Sequence, residues 1–179
     1  VYDCKGLLKT AIRDNNPVMV LWHKALYDLE EDVPAGEWTI PLGQAAVRCE
    51  GHDVTVVAYS LMLHRALEAA ERLRDEISVE VIDPRTLKPF DLNAVLVSLR
   101  KTGRLLVVHE APTCCGAGAE IVRQVTERGF ELLKRPPSVL GGRDLPIPFA
   151  KPLENAVVPQ VDDIVRAVRN LRYDSRGEP

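Results

Sequence analysis

Apolar positions along the chain follow two rhythms. Near the start, Leu7, Leu8, Ala11 and Ile12 share one face at helical spacing, and Asp3 stands where it can cap that helix. Pro17 forces the chain out of the helix through the turn DNN. The next five residues, VMVLW at 18–22, are apolar without alternation, which predicts a strand buried on both faces. Residues 28–45 lose all period; they are acidic, interrupted by Pro34 and Pro41, and predict a linker crossing a surface.

From residue 46 the pattern turns regular. The apolar runs DVTVVAYS, SVEVIDPR, RLLVVHEA and PPSVLGG are separated by helical stretches. Leu63, Leu67, Ala70 and Leu73 make one helical stripe. Asp91 caps a second helix, which carries Val95, Leu96 and Leu99 and is closed by Gly103. GAGAEIVRQVTERG turns Ile121, Val122 and Val125 inward and stops at Gly129, and a last helix is predicted over about 162–171. Alternating strands and helices imply an α/β domain with a mostly parallel sheet of four or five strands, joined by right-handed crossovers. The chain thus divides into 1–27, one helix and one strand of another unit, a linker at 28–45, and the α/β domain at 46–179, whose residues 173–179 are expected to fray. The partners of the first strand are expected outside this sequence.

Composition narrows the function. The chain is 46% hydrophobic and 27% charged, with no apolar run near the ~20 residues that span a bilayer, so no membrane partner is expected. A net charge of -3 with scattered arginines offers no field for a phosphate backbone, so neither is nucleic acid. Cys4, Cys49, Cys114 and Cys115 show no zinc spacing and fit a reducing, cytoplasmic setting. The adjacent Cys114 and Cys115 read either as a redox pair or as two separate thiols, since sequence neighbours rarely bridge without strain. The chain begins at Val1 with no charged segment leading into an apolar core, so no secretory signal is read there.

Open parallel sheets hold ligands beyond the carboxyl ends of their strands. Here those ends carry Tyr59, Ser60, Asp83, Arg85, His109 and Glu110. His109 with Glu110 reads as a general base with its orienting carboxylate, or as polar groups that satisfy loops and neighbouring subunits. No G-x-G-x-x-G follows the domain's first strand, which argues against a dinucleotide. GAGAE at 116–120 suits either an anion at a helix start or tight helix packing. The turn Asp14, Asn15, Asn16 suits a hard cation or is only a turn. His23, His52 and His64 give no ligand pattern.

Longer motifs carry a resemblance. D-x-KGLLKTAIRDNNPV, HKALY, IPLGQA, GHDVTVVAYS, ALEAAERL, EVIDPRTLKPFD, KTGRLLVVHEAP, GAGAEI and DLPIPFAKPLENAVVPQVDDIVRAV resemble, in order and spacing, the beta subunit of thiamine-diphosphate-dependent 2-oxoacid dehydrogenases. The likeness covers nearly the whole chain but only about the second half of a family beta subunit. It implies a three-layer transketolase carboxyl-terminal-like domain preceded by the last helix and strand of a pyrimidine-binding domain. It also implies thiamine diphosphate with magnesium in the whole enzyme, bound by residues upstream of Val1, so no residue here is catalytic or cofactor-binding. Potassium is implied at positions matching Ala11, Asp14 and Asn16, mainly through backbone carbonyls. The implied partners are an alpha subunit, a second beta subunit and the lipoyl acyltransferase core. The implied reaction is oxidative decarboxylation of pyruvate or a branched-chain 2-oxoacid with acyl transfer to lipoyl. The alternatives are an acetoin dehydrogenase beta subunit or, for the chain alone, a non-catalytic module for dimerisation and acyltransferase docking. Trp22 replaces a glutamate, and Cys4 an alanine, found in many relatives. HKALY leans toward acetoin-cleaving members, KTAIRDNNPV toward pyruvate enzymes and HEAP toward branched-chain enzymes.

Overall fold

A computed structural model describes residues 1–173. Five strands, β1 (Ala46–Cys49), β2 (Val54–Ala58), β3 (Val79–Asp83), β4 (Leu105–Pro112) and β5 (Ser138–Gly142), form one sheet in the order β1-β3-β2-β4-β5. β2 to β5 run parallel, and β1 adds to β3 in the opposite sense. Every residue of β2 and β3 is buried, because helices cover both faces. On one face Val54, Val56 and Val108 meet α2 (Leu61–Leu73) and α6 (Val161–Arg172) through Met62, Leu73, Ile164 and Val168. On the other, Val57, Ile82 and Val107 meet α3 (Leu92–Thr102) and α4 (Ala117–Gly129) through Val95, Leu99, Ile121 and Val125. Val56 and Val57 go to opposite cores, as the two-residue period of a strand requires.

Local chemistry sets the helix ends. The Asp91 carboxylate accepts the Ala94 N–H at 3.1 Å, and Gly103 closes α3 at a φ of 68°, where a Cβ would be disfavoured. Gln160 and Asp163 form a reciprocal cap at the start of α6. The stripe predicted for α2 is turned by about one residue: Met62, Ala66 and Ala69 are buried with Ala70 and Leu73, while Leu63 and Leu67 lie at the margin. Two elements were not foreseen, the short edge strand β1 and the seven-residue helix α5 (Lys151–Val157). Beyond Tyr173, the expected frayed end lies outside the described residues.

The amino-terminal segment departs most from expectation. α1 (Tyr2–Arg13) starts from Val1, and Asp3 sits inside its first turn without capping it. Instead Asp3 takes a two-pronged contact from Arg85, at 2.8 and 3.0 Å, and a further one from Arg48. Residues 28–45 have no regular structure, yet they lie along α1. Trp38 stacks on Tyr2 with ring centroids 4.9 Å apart, and the Lys5 ammonium stands 4.0 Å over the same indole. The Thr10 hydroxyl donates to the Ile40 carbonyl at 2.7 Å.

Residues 18–22 form no strand and are not buried. Val18 and Val20 are 36% and 39% exposed, Met19 and Leu21 84% and 82%. That alternation marks an extended segment with one side turned to solvent. The physical reason is direct: a strand needs a neighbour for its N–H and C=O groups, and among the described residues none pairs with this run.

Two glycines test this packing. A Cβ at Gly51 would stand 2.3 Å from the backbone of Val79 and Glu80, whereas one at Gly6 meets only side-chain atoms, Ile40 Cγ1 and Cδ1 at 2.7 and 2.8 Å and Trp38 Nε1 at 3.0 Å. Gly51→Ala is expected to cost about 2–3 kcal/mol, because β3 itself must move. Gly6→Ala is expected to stay within about 1 kcal/mol of wild type, since Ile40 can turn and a helical alanine offsets the crowding. Urea unfolding of both variants checks the difference, and equal losses would refute it.

Candidate functional site

The strand-end residues do not form one cluster; they split into two. At β3, the Asp83 carboxylate accepts the Arg85 N–H at 2.9 Å and faces Arg48 at 3.4 Å, and Arg85 continues to Asp3. This chain of charges ties α1 to the sheet and leaves no free nucleophile. At β4, Glu110 lies 3.0 Å from His23 Nε2. His23 Nδ1 accepts the Ala25 N–H at 3.1 Å, so in the neutral ring Nε2 carries the proton and donates to Glu110. Beside them Tyr59 is half-buried, and burial first, then the Glu110 charge, raises its phenol above the ordinary value. The cleft here, bordered by Arg65, Lys151 and Glu154, measures about 30 Å³. That volume admits one or two waters, against the ~300–1,000 Å³ of a typical ligand pocket.

His109 and Glu110 do not work together. Neighbours on a strand point to opposite faces, and Glu110 goes to His23 while His109 goes under the start of α4. The His109 ring is fully buried, and neither nitrogen has a hydrogen-bond partner among the described residues. Gly116 and Gly118 admit it: a Cβ on either would stand 2.5–2.6 Å from the imidazole. The small residues of GAGAE therefore serve close packing, the second of their two sequence readings. Burial holds the His109 pKa below its ordinary 6.5, and the nearby Ala111 backbone, too poorly aligned to count as a hydrogen-bond partner, acts the other way.

A further feature of the strand ends was invisible in sequence. Ser60, Arg85 and Cys115, following β2, β3 and β4 in turn, hold φ near +57° without being glycine. Such backbone is costly, by about 1–3 kcal/mol each, and gathers where loops are held by their surroundings.

The cation candidates lie elsewhere, at the carboxyl end of α1. The Ala11 carbonyl accepts the Asp14 N–H at 3.3 Å, and the Asp14 carboxylate accepts both the Asn16 N–H and its amide at 2.8 and 2.9 Å. These bonds lower the Asp14 pKa. A shallow cavity of about 260 Å³ lined by Thr10, Arg13, Asp14, Thr39 and Pro41 adjoins the turn. Carbonyls at a helix C-terminus carry partial negative charge and suit a weakly held monovalent ion. Among the described residues no group of three or more His, Cys, Asp or Glu side chains is placed to hold a metal.

This three-layer sheet with its paired strand ends defines a carboxyl-terminal domain of the transketolase type. The family model described as "Transketolase, C-terminal domain" matches residues 43–164, and the chain belongs to that family. It is 46% identical over 169 residues to the Acetoin:2,6-dichlorophenolindophenol oxidoreductase subunit beta of Cupriavidus necator, which covers 94% of this chain and 50% of that protein. It is 43% identical over 176 residues to the Pyruvate dehydrogenase E1 component subunit beta of Porphyra purpurea, covering 98% and 53%. Among solved structures it resembles "Split gene transketolase, inactive beta4 tetramer", with a TM-score of 0.65, 30% identity, and coverage of 74% of this chain and 43% of that one. The chain spans about half the length of the curated relatives it matches.

The buried ring gives a pH test. The unfolded chain binds a proton at His109 near pH 6.5 and the folded one only at lower pH. Protons therefore favour the unfolded state below 6.5, and stability falls as pH drops through that range. His109→Phe, which keeps a flat ring, is expected to flatten the wild-type decline in urea midpoint between pH 7 and 5.5. An unchanged slope would refute the assignment.

Proposed function

We propose that the protein is the beta subunit of the decarboxylating component of a 2-oxoacid dehydrogenase, and that the residues described form its carboxyl-terminal platform. The likeness to beta subunits over 94–98% of the chain is the observation that carries this reading. The activity is thiamine-diphosphate-dependent, magnesium-assisted oxidative decarboxylation of pyruvate or a branched-chain 2-oxoacid, with the acyl group passed to lipoyl. Thiamine diphosphate supplies the carbanion chemistry, and the residues that hold it are proposed to lie on the other half of the beta subunit and on an alpha subunit. The strand ends here support that division: their charges are paired with one another and their cleft has room only for water. This chain's own part is to position. Asp3, Arg85 and Arg48 fix α1 against the sheet, and His23 and Glu110 fix the segment that follows residues 18–22.

The exposed apolar run 18–22 supports the same reading, because its unpaired backbone fits the edge of a sheet whose other strands lie outside residues 1–173. A second beta subunit and the lipoyl acyltransferase core are proposed as further partners, in a cytoplasmic setting. Acetoin cleavage is a second reading, resting on the 46% identity to an acetoin oxidoreductase subunit.

Potassium is proposed at the turn after α1, through the carbonyls of Ala11, Asp14 and Asn16. The full-length protein, reconstituted with its alpha subunit, thiamine diphosphate and magnesium, is expected to reduce 2,6-dichlorophenolindophenol when given a 2-oxoacid. Reduction with acetoin alone would select the second reading, and none with either would refute both. Replacing potassium by lithium at constant ionic strength is expected to lower the melting temperature of wild type. Asn16→Pro, which alters the turn, should abolish that difference; ion-independent melting of wild type would remove the potassium proposal.

A further inference from the structure

The turn from β4 to α4 carries two thiols in contact. Cys114 and Cys115 are both exposed, and their sulfurs stand 3.8 Å apart. Cys115 holds a φ of +56°, and the following Gly116 is clamped: a Cβ there would meet the Pro112 carbonyl at 2.4 Å and the His109 ring at 2.5 Å. The backbone beneath the pair therefore has little room to move.

The sulfur separation discriminates between two chemistries. A disulfide needs about 2.05 Å, so the pair would have to close by nearly half its distance within a ring of adjacent residues. A single atom bonded to both sulfurs at about 2.3 Å, the length of a zinc–thiolate bond, sets them about 3.3–3.8 Å apart as its angle opens from about 90°, the pyramidal case, to tetrahedral. The 3.8 Å separation lies within about half an ångström of that bite, a distance a small turn of either thiol closes, and far from the disulfide length. A tetrahedral metal would need further ligands, and among the described residues no third His, Cys, Asp or Glu side chain completes a metal group. The centre that fits is soft and content with two sulfurs.

We propose that Cys114 and Cys115 form a covalent capture site for trivalent organoarsenicals and chemically similar thiophilic centres that take two sulfurs on one atom. With an oxide R–As=O, two As–S bonds form and the As=O bond breaks. Both thiol protons leave with the oxygen as water, and no oxidation state changes. Neither Cys4 nor Cys49, far apart in sequence and each a single thiol, offers this geometry.

The test uses the full-length protein, reduced and desalted under anaerobic conditions, with phenylarsine oxide as the probe. Intact mass and peptide mapping are expected to show one phenylarsenic per chain, on the peptide bearing Cys114 and Cys115, with two thiol protons lost. A dithiol such as 2,3-dimercaptopropanol should remove it, and excess 2-mercaptoethanol should not. Cys114→Ser and Cys115→Ser should each weaken capture by about 100-fold or more, the gain a second, intramolecular bond supplies. A variant with Cys4→Ser and Cys49→Ser should capture as wild type does. In unmodified wild type, the bound arsenical should also protect Cys114 and Cys115 alone from N-ethylmaleimide. Capture that survives in either single variant, maps elsewhere, or yields to monothiol would overturn the proposal, as would its absence from wild type.

Discussion

A strand buried on both faces has no water to satisfy it, and this constraint organises the molecule. Its backbone must be paired on both edges and its side chains covered above and below. β2, at the middle of the sheet with β3 and β4 as parallel neighbours, meets the demand fully. The helices follow from it: α2 and α6 cover Val54 and Val56, and α3 and α4 cover Val57. The polar groups that this burial traps are paired. Thr55 shares its hydroxyl with Ser98 and Thr102 at 2.6 and 2.7 Å, and the buried Glu80 carboxylate meets Lys101. Among the described residues the whole imidazole of His109 is left without a hydrogen bond, as are single nitrogens of Trp38, Arg104 and Arg172; the ring is accepted because two glycines make room for it and a neutral ring costs far less to bury than a charge.

The same sheet explains why its ends are quiet. Parallel strands deliver their last side chains to one rim, and here nearly every charge on that rim is matched by another. Asp83 and Asp3 take Arg85 and Arg48, and Glu110 takes His23. Groups so engaged hold segments together. A rim of this kind suits a subunit whose task is to present and fix other parts.

Much of this was legible before the structure. β2, β3 and β4 announced themselves as continuous apolar runs, and α3 carried both its start at Asp91 and its stop at Gly103. β1 escaped notice because four residues at an edge, with Val47 and Arg48 both exposed, show no periodic signal. α5 escaped because Pro152 reads as a breaker, although proline is at home in a first helical turn. The two-residue period of a strand forbade His109 and Glu110 from sharing a site, so that pairing was decidable from sequence. Asp3 with Arg85 was not, since nothing local predicts a contact across 82 positions. Residues 18–22 show the limit most plainly: composition can declare a segment fit for burial without supplying what buries it.

That segment has a consequence for handling the protein. Val18, Met19, Val20, Leu21 and Trp22 form an uncharged run of good strand formers, bounded by Pro17 on one side and by His23 and Lys24 on the other. Proline and charge at the flanks are what keep such runs from stacking between chains. Of the two edge strands, β1 is guarded by its brevity and by Arg48 held against Asp3 and Asp83. Solubility therefore depends in part on these five residues, and any cover for Met19 and Leu21, whatever its origin, also helps keep one copy from adhering to the next.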